Sequence, residues 1–185
     1  LPKDQVWLNQ GISGETSRGL MRRLGLCKGL QPQRIFVMIG INDLLKGTAA
    51  DQVLENNQAI VRQLRQTHPQ ADIILQSVLP HSANQATWEG RAKLDRIPNS
   101  QILQFNRRLA AIAQAEKVHF LDLNPLFTNE QGLMRRELTT DGLHLNPQGY
   151  LVWSTAMNFF SLQELETASN ARAITPAENS TLAPA

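Results

Sequence analysis

Arg34-Ile35-Phe36-Val37-Met38-Ile39-Gly40-Ile41-Asn42-Asp43 is the stretch on which the reading of this chain turns. Its β-branched and apolar residues make a buried strand over Arg34 to Ile39, and the glycine followed by Asn-Asp ends it in a turn. Ile35 to Ile41 is also the longest apolar run in the chain, far too short to cross a bilayer, so no membrane span is expected. Working outward, similar runs at Gln5 to Asn9, Asp72 to Val78 and Val118 to Leu121 read as further strands. Between them Val53, Leu54, Ile60, Val61 and Leu64 keep to one helical face, and Ile102, Phe105, Leu109 and Ile112 step by three and four residues. A third helix is expected from about Pro147 to Glu166, with proline near its first turn and Leu151, Trp153, Met157 and Phe160 as apolar bulk. Strands alternating with amphipathic helices predict an α/β fold, a parallel sheet between two helical layers.

At 185 residues the chain accommodates one such domain and not two. The domain is expected over residues 1–166; from residue 167 to Ala185 the composition turns to Ala, Thr, Ser, Asn and Pro, which predicts a disordered tail. Hydrophobic residues at 42% and charged residues at 18% are ordinary for a globular chain, so composition bears on folding and not on function. The net charge is only +2, and the basic residues are scattered apart from pairs such as Arg22-Arg23, Arg107-Arg108 and Arg135-Arg136, a pattern that does not suggest nucleic acid binding. Cys27 is the only cysteine, which excludes an internal disulfide and a cysteine-rich metal site; it reads as a small buried hydrophobe. No basic-then-apolar signal segment precedes the first motif, and the compartment and oligomeric state stay open. His81 to Ser100 is polar, holds Trp88 and Pro98 and has no clean periodicity, so it reads as a long excursion able to shape a substrate site.

In a parallel sheet, functional groups collect beyond the carboxyl ends of the strands, and three turns there carry chemistry. Asn9-Gln10-Gly11-Ile12-Ser13-Gly14-Glu15-Thr16-Ser17 is a small-residue turn whose backbone N–H groups suit negative charge; it serves equally as a strand-to-helix turn capped by Thr16 or Ser17. Gly40-Ile41-Asn42-Asp43 offers a carboxamide able to donate to a developing oxyanion, or an ordinary polar turn. In Asp141-Gly142-Leu143-His144-Leu145-Asn146-Pro147 the spacing can let the Asp141 carboxylate reach His144 Nδ1 and leave Nε2 free as a base; the bland counterpart is a surface turn with a capping aspartate. His68, His81 and His119 lack such a setting, and His119 reads as a core or edge residue of a strand.

Taken in order, "NQGISGETS", "FVMIGINDL" and "DGLHLNPQGY" resemble the conserved blocks of the SGNH (GDSL-like) hydrolases from about Asn9 to Trp153. The resemblance implies a three-layer αβα, flavodoxin-like parallel sheet and a serine esterase that needs no metal or organic cofactor. It assigns Gly14 N–H and the Asn42 side chain to an oxyanion hole, Asp141 to orienting the imidazole and His144 to the general base. The implied partner is a small-molecule carboxylic ester: a short acyl ester, a lysophospholipid or an O-acetylated sugar. Trp88 and Arg91 incline the choice toward a carbohydrate or other polar alcohol.

One block departs from the pattern. The family's Gly-Asp-Ser, which ends its first strand, occurs nowhere in the chain, so no nucleophile is assigned. Ser13, Ser17, Ser77 and Ser82 lack the expected setting. The expectation is an amino-terminally truncated hydrolase that lacks the first strand and is inactive as it stands. The rivals are a non-catalytic remnant keeping only a ligand-binding cleft and a flavodoxin-like nucleotide or phosphate binder, which lacks both glycine-rich phosphate-binding patterns.

Overall fold

The computed structural model describes residues 6–174, with side chains described as far as residue 161. The elements run in the order α1 (Ser17–Arg23), β1 (Arg34–Val37), α2 (Ile41–Leu45), α3 (Ala50–Thr67), β2 (Asp72–Gln76), α4 (Asn99–Ala115), β3 (His119–Leu121), α5 (Asn124–Phe127) and α6 (Pro147–Ile174). Short 3₁₀ turns lie at Leu24–Cys27, Ala83–Gln85, Arg91–Arg96 and Arg136–Leu138. The three strands form one parallel sheet in the order β1-β2-β3, with Arg34 opposite Asp72 and Ile74 opposite His119.

Strand alternation sorts the side chains onto two faces. Ile35, Val37, Ile73, Leu75 and Phe120 join the core under α3 and α4, built by the helical stripes Val53-Leu54-Ile60-Val61-Leu64 and Ile102-Phe105-Leu109. On the opposite face His119 sets its ring edge against Phe160 of α6 at 5.6 Å, and Trp153 Nε1 donates to Gln76 Oε1 at 3.3 Å. A second core beneath α6 gathers Leu123, Phe127, Met134 and Leu138, with Met38, Leu121 and Trp153 against it. Each fully buried Leu, Ile or Phe stabilises the fold by about 1.5–3 kcal/mol, so these two cores hold the three layers together. Among the described residues no helix is long and apolar enough to cross a membrane.

Three readings from the sequence need correction. Val6 to Asn9 form no strand, and Gln5 lies outside the described residues. A strand needs a hydrogen-bonded ladder, and no described strand pairs with this segment; instead the Trp7 ring stacks on Phe36 at 5.8 Å while Val6 and Leu8 are 92% and 61% exposed. The His81 to Ser100 excursion does run between β2 and the start of α4, and its two 3₁₀ turns place Ala86, Leu94 and Ile97 in the main core. The backbone of α6 continues to Ile174, beyond the expected end at Glu166, since the stretch to Ile174 contains several alanines and neither glycine nor proline. Residues 175–185 of the expected disordered tail lie outside the described residues. Cys27 is half-buried at the end of a 3₁₀ turn and not a core residue.

Candidate active site

Because the strands are parallel, the segments that leave β1, β2 and β3 emerge at one rim of the sheet. Gly40, beyond the end of β1, has φ 132°, and a Cβ there would lie 3.3 Å from Val53 and 3.4 Å from Phe105; glycine lets the chain bend over the core into α2. That bend brings Asn42 to the turn ahead of α1, where its Nδ2 donates to the Glu15 carbonyl at 3.0 Å. One of the two amide hydrogens is thereby used, and the other remains available to a ligand.

The turn itself is closed by Glu15 N–H donating to Ile12 O at 3.2 Å, with Gly14 at φ 73°, a conformation that favours glycine. Thr16 caps α1 by accepting from Gly19 N–H at 3.2 Å, so the capping reading of this turn holds at Thr16. Arg23 clamps the loop from the other side: its guanidinium donates to Glu15 Oε1 at 2.6 Å, to Glu15 Oε2 and to Gln10 O at 2.7 Å. The hydrogen bond to Glu15 raises the Arg23 pKa above its ordinary value despite the opposing effect of burial. Lys46 Nζ donates to Gly14 O at 3.0 Å, a second tie between α2 and the turn.

Asp141 and His144 are neighbours within one tight loop. Asp141 Oδ1 accepts the N–H groups of Leu143 at 3.0 Å and His144 at 2.9 Å, and Oδ2 lies 2.7 Å from His144 Nδ1. With the carboxylate accepting, Nδ1 carries the proton and Nε2 is the free lone pair of the neutral ring. No described side chain hydrogen-bonds Nε2, and the imidazole is 61% exposed. Partial burial pushes the Asp141 carboxyl upward, but the hydrogen bonds from His144 and Leu143 together with the charge of His144 outweigh it and leave the pKa below the ordinary aspartate value.

The loop is fastened to the excursion that follows β2. Ser82 N–H donates to Gly142 O at 2.8 Å, and the N–H groups of Thr87 and Trp88 donate to Asp141 O at 2.8 and 3.1 Å. The Trp88 ring meets His144 edge-on at 6.2 Å, while packing on the same core as Ile41 and Leu44 of α2. Trp88 thus ties the His144 loop to the main core, against which α2 also packs. Among the other histidines, His81 is fully occupied: its Nε2 lies 2.7 Å from Ile97 O and its Nδ1 accepts from Ala83 N–H at 2.9 Å, which ties the excursion shut. His68 is buried at the end of α3. Ser17 and Ser77 are buried in hydrogen bonds to Asp43 and to the Leu123 and Asn124 amides. Among the described residues no three His, Cys, Asp or Glu side chains cluster to hold a metal ion.

The profile of the GDSL-like lipase/acylhydrolase family matches residues 1–152. The chain belongs to that family. As a family member it is 29% identical over 165 residues to the platelet-activating factor acetylhydrolase IB subunit alpha1 of Bos taurus, covering 85% of this chain and 64% of the relative. The alpha2 subunit of Rattus norvegicus is 27% identical over 161 residues, covering 86% of this chain and 66% of the relative. The chain therefore spans a little under two thirds of the length of the first relative. Among solved structures, one from Streptococcus pneumonia whose name refers to platelet activating factor superposes with a TM-score of 0.77 at 27% identity, over 85% of this chain and 73% of that one. A GDSL-like lipase from Bacteroides thetaiotaomicron shares the fold with a TM-score of 0.69 at 24% identity, over 86% of this chain and 75% of that one.

The sequence reading missed the hydrogen bonds of Ser17 to Asp43 and of Asn56 to Ser17, and the role of His81. Both join residues distant in sequence, and no spacing rule signals them. The sequence does signal, at Gly142, a glycine that permits φ 91° between Asp141 and His144.

Proposed function

We propose that this protein is a serine-dependent hydrolase of carboxylic esters, with short acyl esters as the first substrate class and lysophospholipids or O-acetylated sugars as extended forms. The observation that carries the reading is the 2.7 Å contact of His144 Nδ1 with Asp141 beside an outward-facing Nε2. The names of its relatives and of an acetyl xylan esterase with the same fold concern acetyl groups, which favours acetyl as the acyl part.

In the proposed mechanism a serine hydroxyl attacks the ester carbonyl and gives its proton to His144 Nε2. Asp141 holds the ring and stabilises the imidazolium. The carbonyl oxygen, now an oxyanion, accepts from Gly14 N–H and from the second Asn42 amide hydrogen. Collapse expels the alcohol, which takes the proton back from His144. A water molecule then gives a proton to Nε2 as it attacks the acyl-serine, and the departing serine oxygen takes that proton back as the carboxylic acid is released.

We place the nucleophile on a strand, outside residues 1–185, that pairs with the free edge of β1, since the sequence holds no Gly-Asp-Ser and that edge has no partner among the described strands. On this reading the 185-residue chain alone is inactive. The second reading, a non-catalytic member with a ligand cleft, draws on the same observation that no described hydroxyl reaches Nε2. The DNA ahead of the Leu1 codon separates the two: an in-frame Gly-Asp-Ser is expected, and a stop codon or unrelated sequence favours the cleft. Hydrolysis of p-nitrophenyl acetate by the extended form, abolished in His144→Ala, is the activity test; an unaltered rate in that variant removes His144 from the mechanism.

A further inference from the structure

Beneath the proposed oxyanion donors lies a polar cluster that the mechanism does not use. Ser17, at the start of α1, is fully buried, and Asp43, in α2, is nearly so. Ser17 N–H donates to Asp43 Oδ2 at 2.8 Å and Ser17 Oγ–H to Asp43 Oδ1 at 2.6 Å, while Asn56 of α3 donates through Nδ2 to Ser17 Oγ at 2.8 Å. Burying a carboxyl group among neutral donors is costly compared with an apolar contact, and no described cation pairs with Asp43. Capping does not account for it, since Thr16 already caps α1. What the cluster does fix is the relation between two short segments. Ser17 lies just after Gly14 and Asp43 directly after Asn42, so the double hydrogen bond clamps the Gly14 turn to the helix that presents the Asn42 amide. Asn56 anchors the clamp to the long helix α3.

We infer that Ser17 and Asp43, backed by Asn56, are positioning residues that hold the Gly14 N–H and the Asn42 carboxamide in one fixed relation. The inference rests on the reading of these two groups as oxyanion donors. A donor moved off its line loses part of the two to three orders of magnitude that such a group supplies, and the loss falls on kcat because the bound ester carries no oxyanion until the serine attacks.

The test uses the gene product with p-nitrophenyl acetate and with ¹H–¹⁵N spectra. In Ser17→Ala and Asp43→Asn, kcat is expected to fall about tenfold or more with KM within about twofold. The Gly14 amide and Asn42 side-chain signals should shift together while the Leu143 and His144 signals stay. An unchanged kcat in the folded variants, or unmoved Gly14 and Asn42 signals, overturns the inference. Should the wild-type protein hydrolyse no ester, the functional reading fails and the signals alone decide this one. Should both variants fail to fold, Asn56→Ala, at the less buried end of the cluster, is read in the same way: shifted signals support the clamp and unmoved ones reject it.

Discussion

Gly142 shows how tightly a single position in this loop is specified. It sits at φ 91°, and a Cβ would lie 2.7 Å from Ala86 Cα and 2.8 Å from Ala86 Cβ and Ser82 Cβ. Gly142→Ala therefore combines backbone strain with overlap against the excursion, and a loss of about 1–3 kcal/mol is expected in urea unfolding. At Asp141 the argument concerns protons. Its pKa in the fold is lowered, so its hydrogen bonds contribute stability that is fully present above the ordinary aspartate value of about 3.9 and is lost as pH falls through the lowered one. Thermal unfolding of wild type and Asp141→Asn should differ at neutral pH and converge below about pH 4. A constant difference down to pH 3 places the stabilisation elsewhere. At Asn42 the second amide hydrogen is the candidate donor, and Asn42→Ala should reduce ester hydrolysis by about two to three orders of magnitude. These residues were legible because each signal is local: a carboxylate three residues before an imidazole, a glycine and a carboxamide past an apolar run. Ser17, Asp43 and Asn56 were not, because their contact joins three helices and leaves no spacing in the sequence.

Elements whose stabilising contacts repeat along the chain were legible for a related reason. α3 and α4 bury the stripes that their periodicity shows, and β1, β2 and β3 lie within the apolar runs assigned to them. The excursion after β2 carries no period because its order comes from single anchors, Leu94 and Ile97 in the core and His81 between Ile97 and Ala83. The start of α6 is anchored in a similar way. Asn146 Oδ1 accepts from Gly149 N–H at 2.9 Å, and its Nδ2 donates to Glu137 O at 2.9 Å, which joins the His144 loop, the Arg136–Leu138 turn and the helix. A Cβ at Gly149 would fall 2.2 Å from Leu138 O, a backbone atom that cannot swing away. Gly149→Ala must then push α6 off the turn. The expected result is a lower unfolding midpoint in urea together with displaced His144 signals in ¹H–¹⁵N spectra; a shift of the midpoint alone separates α6 packing from the geometry of the loop.

At the scale of the molecule the unusual feature is a sheet whose β1 edge meets no other strand among the described residues, beside a segment with Val6 and Leu8 turned to solvent. In a parallel ladder part of a strand's N–H groups point to each neighbour, so β1 satisfies one set on β2 and leaves the other unpaired. Unpaired strand edges invite pairing, and a strand carrying the proposed nucleophile would cover this one while delivering a hydroxyl to the rim where Asn42 sits. The two demands, a partner for β1 and a hydroxyl for His144, would be met by one segment. Hydrogen exchange separates this from a sheet that is complete as it stands. In the 185-residue chain, part of the Arg34–Val37 amides should exchange as quickly as open backbone while Asp72–Gln76 is protected. In a form extended to include a Gly-Asp-Ser segment, the quick amides should slow by orders of magnitude, and ester hydrolysis should appear in the same sample. Equal protection of Arg34–Val37 in both forms would mean that no strand is added at β1, and the nucleophile would have to be sought among the serines already in the chain.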